Sequence, residues 1–291
     1  MEKIIVFGGG AIGSVFAALL SEKFDVLLIG RKPHVEEINR HGLQLSGDVN
    51  KKFYIKSATS VSNIEPETII FLTVKAHETK EAIESIRDEL RDDTVIVCLQ
   101  NGLGSEDIVK DLVDNRVVRI TTFVNAVFLG SGEVEVRALA KTLVCKEDEE
   151  IGKIIMYAGM PVQLIDNITD EVWKKLIVNC VINGLGSILQ VENNKLQSEY
   201  LKEIKKEIIG ECVAVARKEG IIISGSIGED IEKFIRSSSN INSTLQDLMR
   251  GKNTEIDFIN GAIVQLGDRY KIETPVNKII WSLIKAKEGL N

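Results

Sequence analysis

Apolar residues in the first half of the chain fall into short continuous runs separated by stretches of helical spacing. Lys3–Phe7, Asp25–Ile29, Thr68–Val74 and Thr94–Leu99 are β-branched runs of strand length, as expected of parallel strands buried on both faces. Ala11–Ser21 and Glu78–Leu90, between them, repeat apolar residues every three to four positions, the period of an amphipathic helix. Val117–Phe128 reads as a longer strand, and Val134–Cys145 and Pro161–Ile165 as edge strands. From Thr169 onward the period is helical: Leu196–Glu219, Ile227–Arg236, Asn253–Tyr270 and Val276–Lys287 follow it, the last behind Thr274-Pro275, a good helix start because proline at the first position gives up no needed hydrogen bond. The pattern predicts an α/β domain, a boundary near Asp166–Thr169 and an all-α domain after it.

Composition narrows the class. The chain has 291 residues, 44% hydrophobic, enough for two cored domains, and 36 Lys+Arg against 43 Asp+Glu give a net charge of −7. Such a balance lacks the overall attraction to phosphate backbones that nucleic-acid binders show, so no nucleic-acid partner is expected. Cys98, Cys145, Cys180 and Cys212 form no C-x-x-C pair and sit among apolar neighbours, which predicts reduced core cysteines. His34, His41 and His77 share no metal-ligand spacing, and no metal site is expected. The opening MEKIIVFGGG carries no basic segment, long apolar segment or cleavage site, and no uninterrupted apolar run reaches bilayer length. A cytoplasmic protein without membrane insertion is therefore expected.

Chemistry enters at the first turn. Lys3–Phe7 runs into Gly8-Gly9-Gly10-Ala11-Ile12-Gly13, which fits G-x-G-x-x-G between a strand and a helix. Gly8 permits a tight turn, Gly10 lets backbone approach a pyrophosphate, and Gly13 lets helix and strand pack closely. The helix start then offers N–H groups and a positive dipole end to phosphates. A dinucleotide contact across residues 8–13 is the favoured reading, and a glycine turn without ligand is the other. The second strand ends in Ile29-Gly30-Arg31-Lys32, with no carboxylate for a ribose 2′-hydroxyl. Arg31 and Lys32 could pair with a 2′-phosphate, and arginine suits that contact, which favours NADP over NAD; a solvated Arg-Lys pair is the alternative. Lys75 and Asn101 follow the third and fourth strands, where ligands bind in parallel sheets; ordinary loop residues would also stand there.

One apolar helix carries a polar row. In WKKLIVNCVING, Lys175, Asn179 and Asn183 recur every four residues and share one stripe of a helix. Burying such groups unpartnered is costly, so the row predicts a wet polar cleft or, alternatively, a seam where the lysine snorkels and the amides bond to backbone. A lysine in such a cleft stabilises charge developing on a ketone oxygen and can donate the proton. Asn242, Ser243 and Thr244 are candidate helix caps, and Glu255 and Asp257 read equally well as surface acids.

The chain resembles the ketopantoate reductase family over nearly its whole length. GGGAIG, Val74-Lys75, Gln100-Asn101-Gly102, WKKLIVNCVING, NSTLQD, TEIDFING and TPVN occur in the family's order. The resemblance implies a Rossmann-type NADP-binding domain, residues 1–167, and a helical substrate and catalytic domain, residues 168–291. It implies NADPH-dependent reduction of 2-dehydropantoate to (R)-pantoate, a step towards pantothenate and coenzyme A. Lys175 then falls on the catalytic lysine and Glu255 on the acid that holds the substrate hydroxyl and borders the cofactor. Asn179, Asn183, Asn240 and Ser243 fall on substrate contacts, Ser243 on the carboxylate. Asn101 and Lys75 fall on cofactor-side and substrate-side positions, and Arg31 on the 2′-phosphate contact. A homodimer is the assembly that the resemblance allows. Three departures stand out: Glu133–Ala140 is poor in glycine, Gly267–Glu273 lacks a histidine, and Thr244 replaces a methionine. The competing readings are a reductase of another small 2-keto acid and a dinucleotide sensor without catalysis.

Overall fold

The computed structural model describes residues 3–290, which divide into two compact units: residues 3–100 with 105–168, and residues 101–104 with 169–290. The sequence pattern predicts one cut near 167/168. The excursion of residues 101–104 into the second unit leaves no trace in periodicity.

The first unit runs β1 (Lys3–Phe7), α1 (Ala11–Leu20), β2 (Asp25–Ile29), α2 (Lys32–His41), β3 (Leu43–Gly47), β4 (Lys51–Phe53), β5 (Lys56–Ala58), β6 (Ile69–Leu72), α3 (Thr79–Glu84), β7 (Val95–Cys98), α4 (Ser105–Leu112) and β8 (Arg116–Arg119). It continues through β9 (Thr121–Thr122), β10 (Asn125–Gly130), β11 (Glu133–Ala138), β12 (Thr142–Cys145), α5 (Glu149–Tyr157) and β13 (Val162–Ile165). Six strands form one parallel sheet in the order β5-β2-β1-β6-β7-β8. This is the doubly wound order, in which direction reverses between β1 and β6 and opens a crevice beyond their carboxyl ends. Ile4, Val6, Leu28, Phe71 and Val97 fill the core, as the unbroken apolar runs require. Helix α1 is buried along nearly its whole length because it packs on β1 and β2 and also on β10 and β11.

Three predicted elements divide. The run 117–128 is three strands in three sheets: β8 edges the large sheet, β9 pairs with β12, and β10 with β11. Thr122 Oγ1 accepts the Val124 N–H at 3.2 Å, diverting that donor from a continuous ladder. A β-branched run suits one long strand or several short ones, and only tertiary pairing decides. Likewise 134–145 is β11 and β12, in separate small sheets, and β13 joins β12 rather than the edge of the large sheet. The stretch 78–90 holds only the short α3 between two 3-10 turns.

The second unit holds α6 (Ile168–Leu189), α7 (Lys202–Lys218), α8 (Ile227–Ser237), α9 (Ser243–Met249), α10 (Asn260–Tyr270) and α11 (Pro275–Leu290). Two predicted helices start late: Leu196 and Glu199 lie in 3-10 turns before α7, and Ile256–Phe258 in another before α10. Helix α6 is long and apolar enough to cross a membrane by length and composition, yet two thirds of that stretch is buried in the protein. It is the central core helix, packing Leu176, Ile177, Cys180 and Val181 against Ile208, Cys212, Val215 and Ile263. Pro275 starts α11 as predicted. The Glu211 carboxylate of α7 accepts the Val276 and Asn277 N–H groups at 2.8 and 2.9 Å, capping that helix from outside. All four cysteines are buried and free.

Candidate functional site

The first unit builds a phosphate cradle. Gly8, at φ +130°, turns the chain off β1; a Cβ there would stand 2.5 Å from Val74 N. A Cβ on Gly13 would stand 1.9 Å from Gly8 O and 2.5 Å from Thr73 Oγ1. Thr73 explains this crowding, since its hydroxyl donates to Gly8 O at 2.8 Å and its N–H to Phe7 O at 2.8 Å. It locks the turn to β6 at the point where strand order reverses. Sequence reasoning missed Thr73, and only its place near the carboxyl end of a buried strand could have pointed to it. Gly9 packs on Gly30, where a Cβ would lie 3.1 Å from the Gly30 Cα. Gly10 differs: a Cβ there would meet nothing within 4 Å. It faces open space at the start of α1, where Ala11, Ile12 and Gly13 form a first turn with no acidic residue and no side-chain cap. Uncapped first-turn N–H groups and an open approach fit a dinucleotide pyrophosphate.

His34 supports the cradle from α2. It is buried, with Nδ1 accepting the Gly132 N–H at 3.0 Å and Nε2 3.0 Å from Ser14 Oγ on α1. The backbone donor places the ring proton on Nε2, and burial pushes the imidazole pKa down to about 4. Arg31 is exposed at the N-cap of α2, and its Nη2 donates to Glu78 Oε1 at 2.8 Å. Lys75 is half-buried after β6, and its backbone N–H reaches Glu78 Oε2 at 3.3 Å.

The second unit gathers the remaining predicted residues. Lys175, Asn179 and Asn183 lie on one continuous helix, α6, the first two half-buried and the third buried. Asn183 Nδ2 donates to Ser243 Oγ at 3.4 Å. Ser243 begins α9, and of the three cap candidates Asn242 is the cap, accepting the Leu245 N–H at 2.9 Å. Asn242 also accepts from Ser187 Oγ at 3.1 Å, and a Cβ on Gly186 would come within 2.6 Å of its Nδ2. Small residues on α6 therefore let α9 approach and deliver Ser243 to the polar row. The Asn240 backbone carbonyl accepts the Asn193 N–H at 3.0 Å.

Asn101 meets Glu255 in the same unit, with Nδ2 donating to Oε2 at 3.1 Å. Glu255 is buried and is therefore no surface acid. Gly102, at φ +83°, makes this approach feasible, since a Cβ would stand 2.1 Å from Phe258 O. The Leu103 N–H donates to that same carbonyl at 3.0 Å. Helix α11 braces the turn. Glu288 accepts the Thr254 N–H at 2.8 Å and its hydroxyl at 2.6 Å, and Asp257 accepts from Trp281 Nε1 at 2.6 Å and Lys285 Nζ at 2.9 Å. These supports were invisible in sequence, because Asp257 and Glu288 look like ordinary helix-surface acids. Among the described residues, no group of three or more His, Cys, Asp or Glu could hold a metal ion.

A doubly wound α/β unit with a glycine cradle, joined to an all-α unit with a polar lysine-asparagine row, defines a narrow class. The profile described as "Ketopantoate reductase PanE/ApbA" matches residues 4–147, and that described as "Ketopantoate reductase PanE/ApbA C terminal" matches residues 167–288. The 2-dehydropantoate 2-reductase of Pyrococcus horikoshii is 39% identical, over 99% of this chain and 98% of that one. The crystal structure of a PanE/ApbA family ketopantoate reductase from Ralstonia eutropha JMP134 superposes with a TM-score of 0.93 at 28% identity, over 99% of both chains. A ternary structure of D-mandelate dehydrogenase with NADH and anilino(oxo)acetate superposes equally well, TM-score 0.93 at 27% identity and 99% of both chains. The chain belongs to the ketopantoate reductase PanE/ApbA family.

Proposed function

We propose that the protein reduces the ketone of 2-dehydropantoate to (R)-pantoate with NADPH as reductant, a step towards pantothenate and coenzyme A. The observation that carries this reading is the Lys175–Asn179–Asn183 face of α6 ending on Ser243, in a chain similar over its whole length to a 2-dehydropantoate 2-reductase. Residues 1–167 are read as the nucleotide-binding part. Gly8–Gly13 receive the pyrophosphate, Arg31 meets the 2′-phosphate and Lys75 borders the bound cofactor. The nicotinamide dinucleotide supplies the reducing equivalent. Residues 168–291 hold the keto acid.

Negative charge grows on the ketone oxygen as its carbon is reduced. The Lys175 ammonium stabilises that charge and delivers the proton. Asn179 and Asn183 donate hydrogen bonds that hold the substrate against the helix, Ser243 receives the carboxylate, and Asn240 is a further polar contact to the substrate. Glu255 accepts a substrate hydroxyl, and Asn101, through its bond to Oε2, fixes the carboxylate for that task. These groups orient one small acid on a rigid helix, which is where such positioning is most effective.

The test follows loss of nicotinamide absorbance with 2-dehydropantoate, repeated with NADH and with other 2-keto acids. Turnover selective for 2-dehydropantoate is expected. Activity confined to an aromatic 2-keto acid would favour the second reading, prompted by the likeness to D-mandelate dehydrogenase. Nucleotide binding with no turnover on any keto acid would indicate a sensor.

A further inference from the structure

In G-x-G-x-x-G domains the residue ending the second strand reads the adenosine ribose: an acid takes a 2′-hydroxyl, an arginine a 2′-phosphate. Here β2 is followed by Gly30 and Arg31, and no carboxylate stands there in sequence. The fold brings one from elsewhere. Glu78, on the turn after β6, places Oε1 2.8 Å from Arg31 Nη2. Glu78 is held at both ends of that turn. Its Oε2 accepts the Lys75 N–H at 3.3 Å, and its own N–H donates to Lys75 O at 2.8 Å. The Glu78 side chain is 33% exposed and that of Arg31 75%. The carboxylate is therefore the fixed partner and the guanidinium the one able to turn away.

We propose that Glu78 is a specificity-determining residue for the pyridine nucleotide, supplying from the turn after β6 the carboxylate that the end of β2 lacks. The inference rests on the dinucleotide reading above. A cofactor with a free 2′-hydroxyl finds an acceptor in Glu78 and leaves the Arg31 pair intact. A 2′-phosphate draws Arg31 to itself through a two-pronged contact. It then carries its own charge, roughly −1.5 to −2, beside a carboxylate of like sign. Arg31 and Glu78 thus pull in opposite directions, and the pair admits both nucleotides with a reduced preference for NADPH.

The experiment titrates NADPH and NADH directly into the wild-type protein, Glu78→Gln and Arg31→Gln, reading heat of binding. Glutamine removes the charge and keeps an oxygen to accept the Lys75 N–H. Glu78→Gln is expected to raise the NADPH-to-NADH affinity ratio about tenfold, through tighter NADPH and weaker NADH, in line with the cost of like charges a few ångströms apart. Arg31→Gln is expected to lower the same ratio. Glu78→Asn, neutral and shorter, is the second variant and should move the ratio in the same direction as Glu78→Gln. A ratio within twofold of wild type in both Glu78 variants, with Arg31→Gln still lowering it, overturns the inference and leaves the dinucleotide reading standing. A wild-type protein that binds neither nucleotide overturns both.

Discussion

Lys175 is half-buried on a largely apolar helix, and on the proposed function its ammonium meets the charge that develops on the ketone oxygen. Lys175→Ala should lower kcat for 2-dehydropantoate by roughly 10²–10⁴-fold, measured at saturating substrate, with a smaller change in KM. His34 governs a different property. Its folded pKa, about 4, lies below the ordinary value of 6.5 because the ring is buried. The unfolded chain therefore takes up a proton first as pH falls. The stability this residue contributes is complete above pH 6.5 and is lost as pH falls towards 4, up to about 3 kcal/mol. Asp25 is held low by its hydrogen bonds to Lys3 and Lys56, so its contribution is lost only below 3.8, outside that window. Urea midpoints measured at pH 7 and pH 5 should differ less in His34→Gln than in wild type.

At the scale of elements, the excursion 101–104 is the sharpest constraint. Gly102 has a left-handed φ and no room for a methyl group against Phe258 O. Gly102→Ala should cost about 1–3 kcal/mol of stability and depress turnover, since Asn101 would lose its register with Glu255; urea unfolding and kcat report the two effects. Elements with strong periodicity were legible in sequence: β1 and β2 fall where the apolar runs place them, and α11 starts at Pro275. Short polar helices were not. Helix α2, KPHVEEINRH, buries only His34, Val35 and Ile38, too few to set a period. The three strands within 117–128 looked like one because alternation does not reveal a change of partner. For the candidate site, the residue types of the α6 row were readable, but its supports were not. Thr73, Asp257 and Glu288 act through contacts distant in sequence, which no local pattern encodes.

On the scale of the whole molecule, a ligand that binds only the folded state stabilises it by RT ln(1 + [L]/Kd), about 2.7 kcal/mol at a hundredfold excess over Kd. NADPH at that excess should raise the melting temperature by roughly 5 °C or more, as scanning calorimetry would record. The division of the chain carries a further consequence. Arg119, nearly buried, donates from Nη2 to Gln100 O at 2.7 Å and from Nη1 to Ser105 Oγ at 3.0 Å. One guanidinium thus grips the chain just before residue 101 and just after residue 104, and the four residues between belong to the other unit. A lineage that exchanged its C-terminal half at the apparent boundary near residue 168 would inherit helices shaped around a loop it had left behind. Asn101, Gly102 and their tether would have to change in step with the incoming half. Such halves should therefore evolve together as a matched pair, with shuffling by a single crossover strongly disfavoured.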